Sequence, residues 1–419
     1  MMRSKAVAAF LTVALILASA AVFQNPNNQG INWTFPYFSG AANFERLFDW
    51  QISPSDYAKA VKLSGPEYRR YKHEATADTV SNAVNNYGYV LVALSSQTIF
   101  PWMGDLQGVI VLQLVVHLSV CLFLILAVFQ TPLQRLGFLC LYAANPLIVY
   151  FVTFPFYYFW MFIPATALVI LWFRPNWRTV SLPILTPFLL LSILIRPTTV
   201  FLCAFFYLVG WRGALGRQAR RVVLVSIFGF VVGVSMIAGN SSGSPWHPIY
   251  VGLGAYSNDQ GVRSLSDDEG YNFFKERTGI GIDTNAVAGN FNNPIIRKKY
   301  NDALRERYFE IVTERPFLVL RNAVANTLQG FSLGHDVGHR WVSWSSAGLG
   351  LCVLGFLVVA KQWIWIISVL SYSAGYAWFF PPIPAYHFGA YLLLVTGVIR
   401  GAEDLIQERR DRRRDFSAR

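Results

Sequence analysis

Long apolar runs alternate with polar stretches of uneven length, and that alternation sets the architecture. The runs reach about 18 residues, enough to cross roughly 30 Å of hydrocarbon as helices. They predict spans at about 6–23, 106–129, 136–154, 156–173, 180–196, 199–211, 222–239, 344–360, 362–380 and 385–399. The expected fold class is an all-α polytopic membrane protein. It is a bundle of about 10 transmembrane helices with two large external loops bearing amphipathic helices. Residues 1–23 read as an uncleaved first span rather than a signal peptide cut at Ala18-Ser19-Ala20.

The polar stretches divide the chain. Residues 1–239 form the bundle together with a first external loop, 24–105. Residues 240–342 are a second external segment, 343–400 the C-terminal transmembrane helices, and 401–419 a basic tail. In the first loop, Pro54-Ser55-Asp56 reads as a turn into a helix with Ser55 or Asp56 as N-cap. The following DYAKAVKLSGPEYRRYKHE is amphipathic and is expected along the membrane surface. Residues 82–101 are apolar but interrupted, and read as a helix partly sunk in the interface. Asn145-Pro146 breaks the third span, FPFYYFW at 154–160 makes an aromatic outer rim, and the fifth span ends in an external LIRPTT turn at Leu194–Thr199. In the second external segment, Ser257 to Pro294 is polar and reads as a mobile cover. Leu304, Tyr308 and Ile311 recur at helical spacing in an amphipathic helix over 298–314, and Pro316 opens a helix returning along the interface.

Charge fixes the orientation. An even number of spans puts both termini on one side, and the short loops on that side hold Arg135, Arg174, Arg178, Arg212, Arg217, Arg220, Arg221 and Lys361. Short Lys/Arg-rich loops stay cytoplasmic. The expected location is therefore the inner (plasma) membrane of a bacterium, with cytoplasmic termini and a periplasmic, external polar face. The net charge of +12 reflects this asymmetry and not a nucleic-acid partner; the RRDRRR tail reads as an anchor beside anionic membrane lipids. The four cysteines all fall in apolar runs and staple nothing.

Of the 23 acids, seven lie in 24–105, eleven in 240–342 and five in the tail, so none falls within a predicted span. Ion-coupled transporters and proton relays ordinarily need an intramembrane carboxylate, which leaves acid–base chemistry to the external face. The acids of Pro36–Asp56 are candidates there: Asp49 first, with Glu45 and Asp56 as alternates. Arg196 stands apart from the cytoplasmic and external basic groups, and its natural partner is an anion held in bidentate fashion. Five of six histidines are external. His335 and His339 flank Asp336 in GHDVGHR, where the glycines oppose a regular helix; an anion or sugar contact is expected there rather than a metal. His117 reads as a satisfied bundle residue. No GxSxG, HExxH or Walker motif is present, and the cytoplasmic loops are too small to bind a nucleotide sugar.

In this order of features the chain resembles the GT-C superfamily of integral-membrane glycosyltransferases, whose members include protein mannosyltransferases, aminoarabinose transferases and arabinofuranosyltransferases. The resemblance rests on a first span followed by a long acidic external loop, NPLIVY at 145–150, LIRPT at 194–198, an amphipathic helix before a proline, and PPIPAYHFG at 381–389. It lacks the acidic pair common soon after the first span. The resemblance implies an inverting transferase using a polyprenyl-phosphate-linked sugar donor and a glycan, lipid or protein acceptor, with no cofactor. It implies a carboxylate base, here Asp49, Glu45 or Asp56, and a leaving phosphate held by Arg196 and His387. Tyr386, His247, Arg340 and His335 are further substrate contacts, and Trp50, Tyr37 and Trp246 can stack on sugars. Two other readings fit: an O-antigen polymerase or ligase relying on external arginines, and a non-enzymatic lipid or polysaccharide transporter.

Overall fold

The computed structural model describes residues 29–47, 50–80, 86–211, 244–285 and 287–417, with Phe10, Thr12, Arg220, Leu224 and Ile227. The first and seventh expected spans lie almost wholly outside the described residues, and so does Asp49. Among the described residues the protein is all-helical; the one β contact is an isolated bridge between Ile52 and Val80.

Four helices come first: α1 (Gln29–Leu47), α2 (Pro54–Ala60), α3 (Gly65–Arg70) and α4 (Tyr87–Ile99). The α2 N-cap is Ser53, whose hydroxyl accepts from the Asp56 N–H with Pro54 at the first turn, so neither Ser55 nor Asp56 caps it. The amphipathic stretch after it is two short helices, broken where Ser64 caps α3 ahead of Pro66. Helix α4 packs against α1, α5 and α9.

Next come α5 (Asp105–Phe123), α6 (Pro132–Phe138), α7 (Pro146–Thr153), α8 (Ile163–Phe173), α9 (Arg178–Ile195) and α10 (Val200–Trp211). Asp105–Val128 and, later, Arg340–Val359 are long and apolar enough to cross a membrane. The pair Pro132–Ala143 and Pro146–Thr153 makes a third if taken as one span bent by 60°. The bend falls at the expected Asn145-Pro146 break. Pro146 has no N–H to continue the ladder, and the Asn145 side chain caps α7 through the Leu147 N–H. The other apolar helices, Phe159–Phe173, Val180–Ile195, Pro197–Val209 and Trp363–Ser373, are shorter.

A compact module follows, of α11 (Trp246–Val251), α12 (Asp267–Thr278), α13 (Pro294–Glu314) and α14 (Pro316–Gln329). Its own core gathers Tyr250, Phe274, Tyr300, Leu304, Tyr308 and Ile311, matching the spacing along 298–314. The stretch expected as a mobile cover holds α12, started by Ser266 and closed by Gly279 in the left-handed conformation at φ 75°. The chain ends with α15 (Arg340–Val359), α16 (Trp363–Ser373) and α17 (Pro384–Ser417). Helix α17 runs unbroken for 34 residues and packs against α6, α8, α15 and α16. Gly389 lets it touch the Met161 carbonyl, where a Cβ would collide.

Candidate functional site

Two charged centres stand out. The first is built on Asp56, fully buried at the start of α2. One carboxylate oxygen accepts from the Tyr71 hydroxyl at 2.7 Å and the Glu74 N–H at 3.2 Å, while the other meets His73 Nδ1 at 2.7 Å. The His73 N–H donates to Asp105 at 2.7 Å, and His73 Nε2 lies 3.3 Å from the Tyr68 hydroxyl, itself 3.3 Å from Thr34. Burial pushes the Asp56 pKa up, but the His73, Tyr71 and Glu74 bonds outweigh it and hold the carboxyl below its ordinary value. Both oxygens are occupied. The cluster ties the 54–80 segment to α1 and α5. Glu45 lies exposed at the end of α1.

The second centre is Arg196. It ends α9 in an extended conformation (φ −147°, ψ 104°), as a residue preceding proline must. Its guanidinium carbon sits 5.3 Å from the centre of the Tyr157 ring and 4.8 Å from that of Tyr386, and Nη1 donates to the Tyr157 hydroxyl at 3.3 Å. Nε is enclosed without a hydrogen-bond partner, and no carboxylate pairs with this arginine among the described residues. Tyr37 and Tyr158 complete a basket of rings, with Tyr37 6.4 Å from Tyr157 and Tyr158 5.7 Å from Tyr386. Enclosing a charge without a counter-charge is costly, typically several kcal/mol, unless a ligand supplies one.

His387 is the neighbour of Tyr386 on α17, and adjacent residues of a helix do not share a face. It is fully buried, turned toward Tyr372 and Tyr391 with Nδ1 3.4 Å from the Tyr376 hydroxyl, and its Nε2 has no partner. No hydrogen bond joins it to Arg196 among the described residues.

The α11–α14 module meets the turn that precedes α17. Gly252 lets the chain after α11 press on the Phe379 carbonyl, in the turn that leads to Tyr386. His247, at the start of α11, bonds Asp267 at 3.0 Å through Nε2 and the Tyr300 hydroxyl through Nδ1, and stacks on Tyr271. The His247 bond, working against burial, draws the Asp267 pKa below its ordinary value. The Asp267 side chain is 74% exposed and has one free carboxylate oxygen among the described residues. The Tyr386 hydroxyl lies within electrostatic range of both Arg196 and Asp267.

An apolar groove of about 710 Å³ opens beside the arginine basket. Pro146, Tyr150 and Phe154 form one wall, Leu333 to Val337 and Ile383 the other, and Tyr158 belongs to both groove and basket. His335 lines it, buried, with Nδ1 unpartnered and its pKa lowered to about 4 by burial. His339 pairs instead with Asp336 at 2.9 Å. Arg340 is a strut, bonding Ser257 at 2.8 Å and the Arg263 carbonyl at 2.9 Å. Trp50 stacks on Phe44, and Trp246 packs against Phe309.

Arg196, Tyr386 and Tyr37 are therefore brought to one region, while His247 keeps to Asp267, Tyr271 and Tyr300 within the module. Asp56, Arg340 and His387 make bonds elsewhere. Sequence reasoning missed Asp267, Tyr157 and Tyr158. The two tyrosines stood in FPFYYFW, read only as a rim, and Asp267 opens the Ser-Asp-Asp-Glu start of a helix. Comparison with family models, curated proteins and solved structures returned no match.

Proposed function

We propose that the chain is an inverting glycosyltransferase of about ten transmembrane helices, acting at the external face of a bacterial inner membrane with both termini cytoplasmic. It moves a sugar from a polyprenyl-phosphate carrier to an acceptor hydroxyl. One observation carries the reading: a guanidinium without a carboxylate partner beside an apolar groove. An amphiphile whose head is an anion and whose tail is hydrocarbon fits both halves. The phosphate supplies the counter-charge that Arg196 lacks, and the prenyl chain lies against Tyr150, Phe154 and Val337.

The acceptor oxygen attacks the anomeric carbon from the face opposite the phosphate. The carbon–oxygen bond to phosphate breaks and its electron pair leaves with the phosphate. Arg196, with the hydroxyls of Tyr157 and Tyr386, takes up the growing charge. The acceptor proton passes to a carboxylate. Asp267 is our assignment for that role, because it is ionised at neutral pH, open on one oxygen and within electrostatic range of Tyr386. Asp49 and Glu45 are its competitors; Asp56 has no free oxygen to offer. The Lys/Arg bias of the short loops supports the orientation.

The test is binding of undecaprenyl phosphate to the full-length protein in nanodiscs. Arg196→Ala is expected to weaken it at least tenfold, with Arg196→Lys in between; unchanged binding by Arg196→Ala sinks the reading. A polymerase or ligase working on a lipid-linked glycan needs the arginine but not the carboxylate. It gains if Asp267→Asn, Asp49→Asn and Glu45→Gln all keep full transfer rates. A transporter would keep binding and show no transfer with any of them.

A further inference from the structure

A second cavity, of about 600 Å³, lies in the α11–α14 module, within the size range of ligand pockets at ~300–1,000 Å³. Helix α12 supplies one wall. Glu269, Asn272, Phe273, Glu276 and Arg277 recur at steps of three and one, a single helical face, and all five line the cavity. Tyr250 from α11 and Arg307 and Glu310 from α13 close it, and the loop through Gly261 and Arg263 forms its lip. That loop is pinned. Asn258 Nδ2 donates to the carbonyls of Leu253, Tyr256 and Val262, and Arg340 holds the carbonyl of Arg263.

The lining selects a chemistry. Carboxylates and guanidiniums alternate around the cavity, so an anion would meet Glu269, Glu276 and Glu310, and a cation would meet the arginines. Arg277 and Arg307 already pair with Glu306 at 2.8 Å and Glu310 at 3.0 Å. The side chains of Arg263 and Glu276 have no hydrogen-bond partner among the described residues. The rings of Tyr250 and Phe273 adjoin at 5.3 Å and give an apolar patch between the charges. Forked donors and acceptors around aromatic faces match a neutral ligand with rows of hydroxyls and an apolar ring face.

The opposite edge of α12 belongs to the transfer centre. Asp267 bonds His247, Tyr271 stacks on it, and Gly270 lies so close that a Cβ would stand 2.5 Å from the Tyr300 hydroxyl. One helix, about 10–12 Å thick with its side chains, thus separates the cavity from Asp267.

We infer that the cavity is a neutral-oligosaccharide site that anchors the acceptor away from its reacting end. The inference rests on the glycosyltransferase reading above. A chain of a few sugars held between Tyr250, Phe273 and Arg263 spans the thickness of α12 and presents its terminal hydroxyl to Asp267.

The experiment uses full-length protein in nanodiscs, probed with an array of neutral oligosaccharides of about two to six sugars alongside undecaprenyl phosphate. At least one oligosaccharide is expected to bind. The Arg263→Ala/Glu276→Gln variant, whose fold is checked by its melting curve, is expected to weaken that binding at least tenfold while leaving undecaprenyl phosphate binding unchanged. Arg196→Ala is expected to do the reverse. No oligosaccharide held better by the wild type than by the double variant overturns the inference, as does selective binding of anionic sugars alone. Oligosaccharide binding that is lost in the double variant, with undecaprenyl phosphate indifferent to Arg196, leaves the cavity standing and removes the transferase reading.

Discussion

Asp56 is fully buried and Arg196 half-buried, and the two charges are finished in opposite ways. Around Asp56 the chain provides a histidine, a tyrosine and a backbone N–H, and each carboxylate oxygen is taken. Around Arg196 it provides ring faces and one hydroxyl, and leaves Nε empty. A charge whose bonds close within the protein stabilises the fold. A charge left open is an invitation to a ligand. That contrast moves the search for chemistry away from the best-connected acid and toward the least-connected base.

The contrast is broken most forcefully at Asp56. Asp56→Ala strands His73 in a site where the pair's side chains are 1% and 0% exposed, and is expected to destabilise the protein by about 3–5 kcal/mol. A thermal melt in detergent reads this; a shift of under a degree would show that the cluster holds nothing together. Arg196→Ala should leave the melt nearly unchanged and slow transfer by about 10²–10³-fold, the scale of losing one donor to a developing anion. If the melt collapses with the rate, the arginine is structural after all. Asp267→Asn should lower kcat by about 10²-fold with lipid binding intact. Equal loss in Asp49→Asn and none in Asp267→Asn would hand the proton to Asp49.

Acid pH separates the two centres more gently. The folded pKa of Asp56 is depressed, so its contribution is complete above the unfolded value of ~3.9 and is lost as pH falls through the folded one. Melting temperature should therefore fall below about pH 4 in the wild type, and fall less over that window in Asp56→Asn. The smallest effect is expected at Tyr157→Phe, which removes one hydroxyl from Arg196 but keeps the ring. A loss of a few-fold in rate fits a single hydrogen bond worth about 1 kcal/mol.

The helical character, the Asn145-Pro146 bend, α13 and the proline that opens α14 were legible because each depends on neighbours within a few residues. The span count was less so. The run 362–380 reads as one crossing but its helix stops at Ser373, while 180–196 makes α9, Arg178–Ile195, nearly as read. Helix α12 escaped because its sequence is polar nearly all round, and only its cap at Ser266 and stop at Gly279 betray it. The site was half legible. Arg196 could be singled out because charge is scarce around it. Nothing in Pro36–Asp56 says that Asp56 will be saturated, since its partners Tyr71 and His73 arrive 15 and 17 residues later. Asp267 meets its histidine across 20 residues, where spacing along the chain gives no hint of the pair.

Helix α17 carries Tyr386 near one end and RRDRRR near the other. At 1.5 Å per residue its 34 residues make a rod about 50 Å long. A pivot of about 5° at the arginine end would sweep the tyrosine end through about 4 Å, close to a ring's width. The lie of the basic tail and the placement of a ring against Arg196 are thus set by one rod.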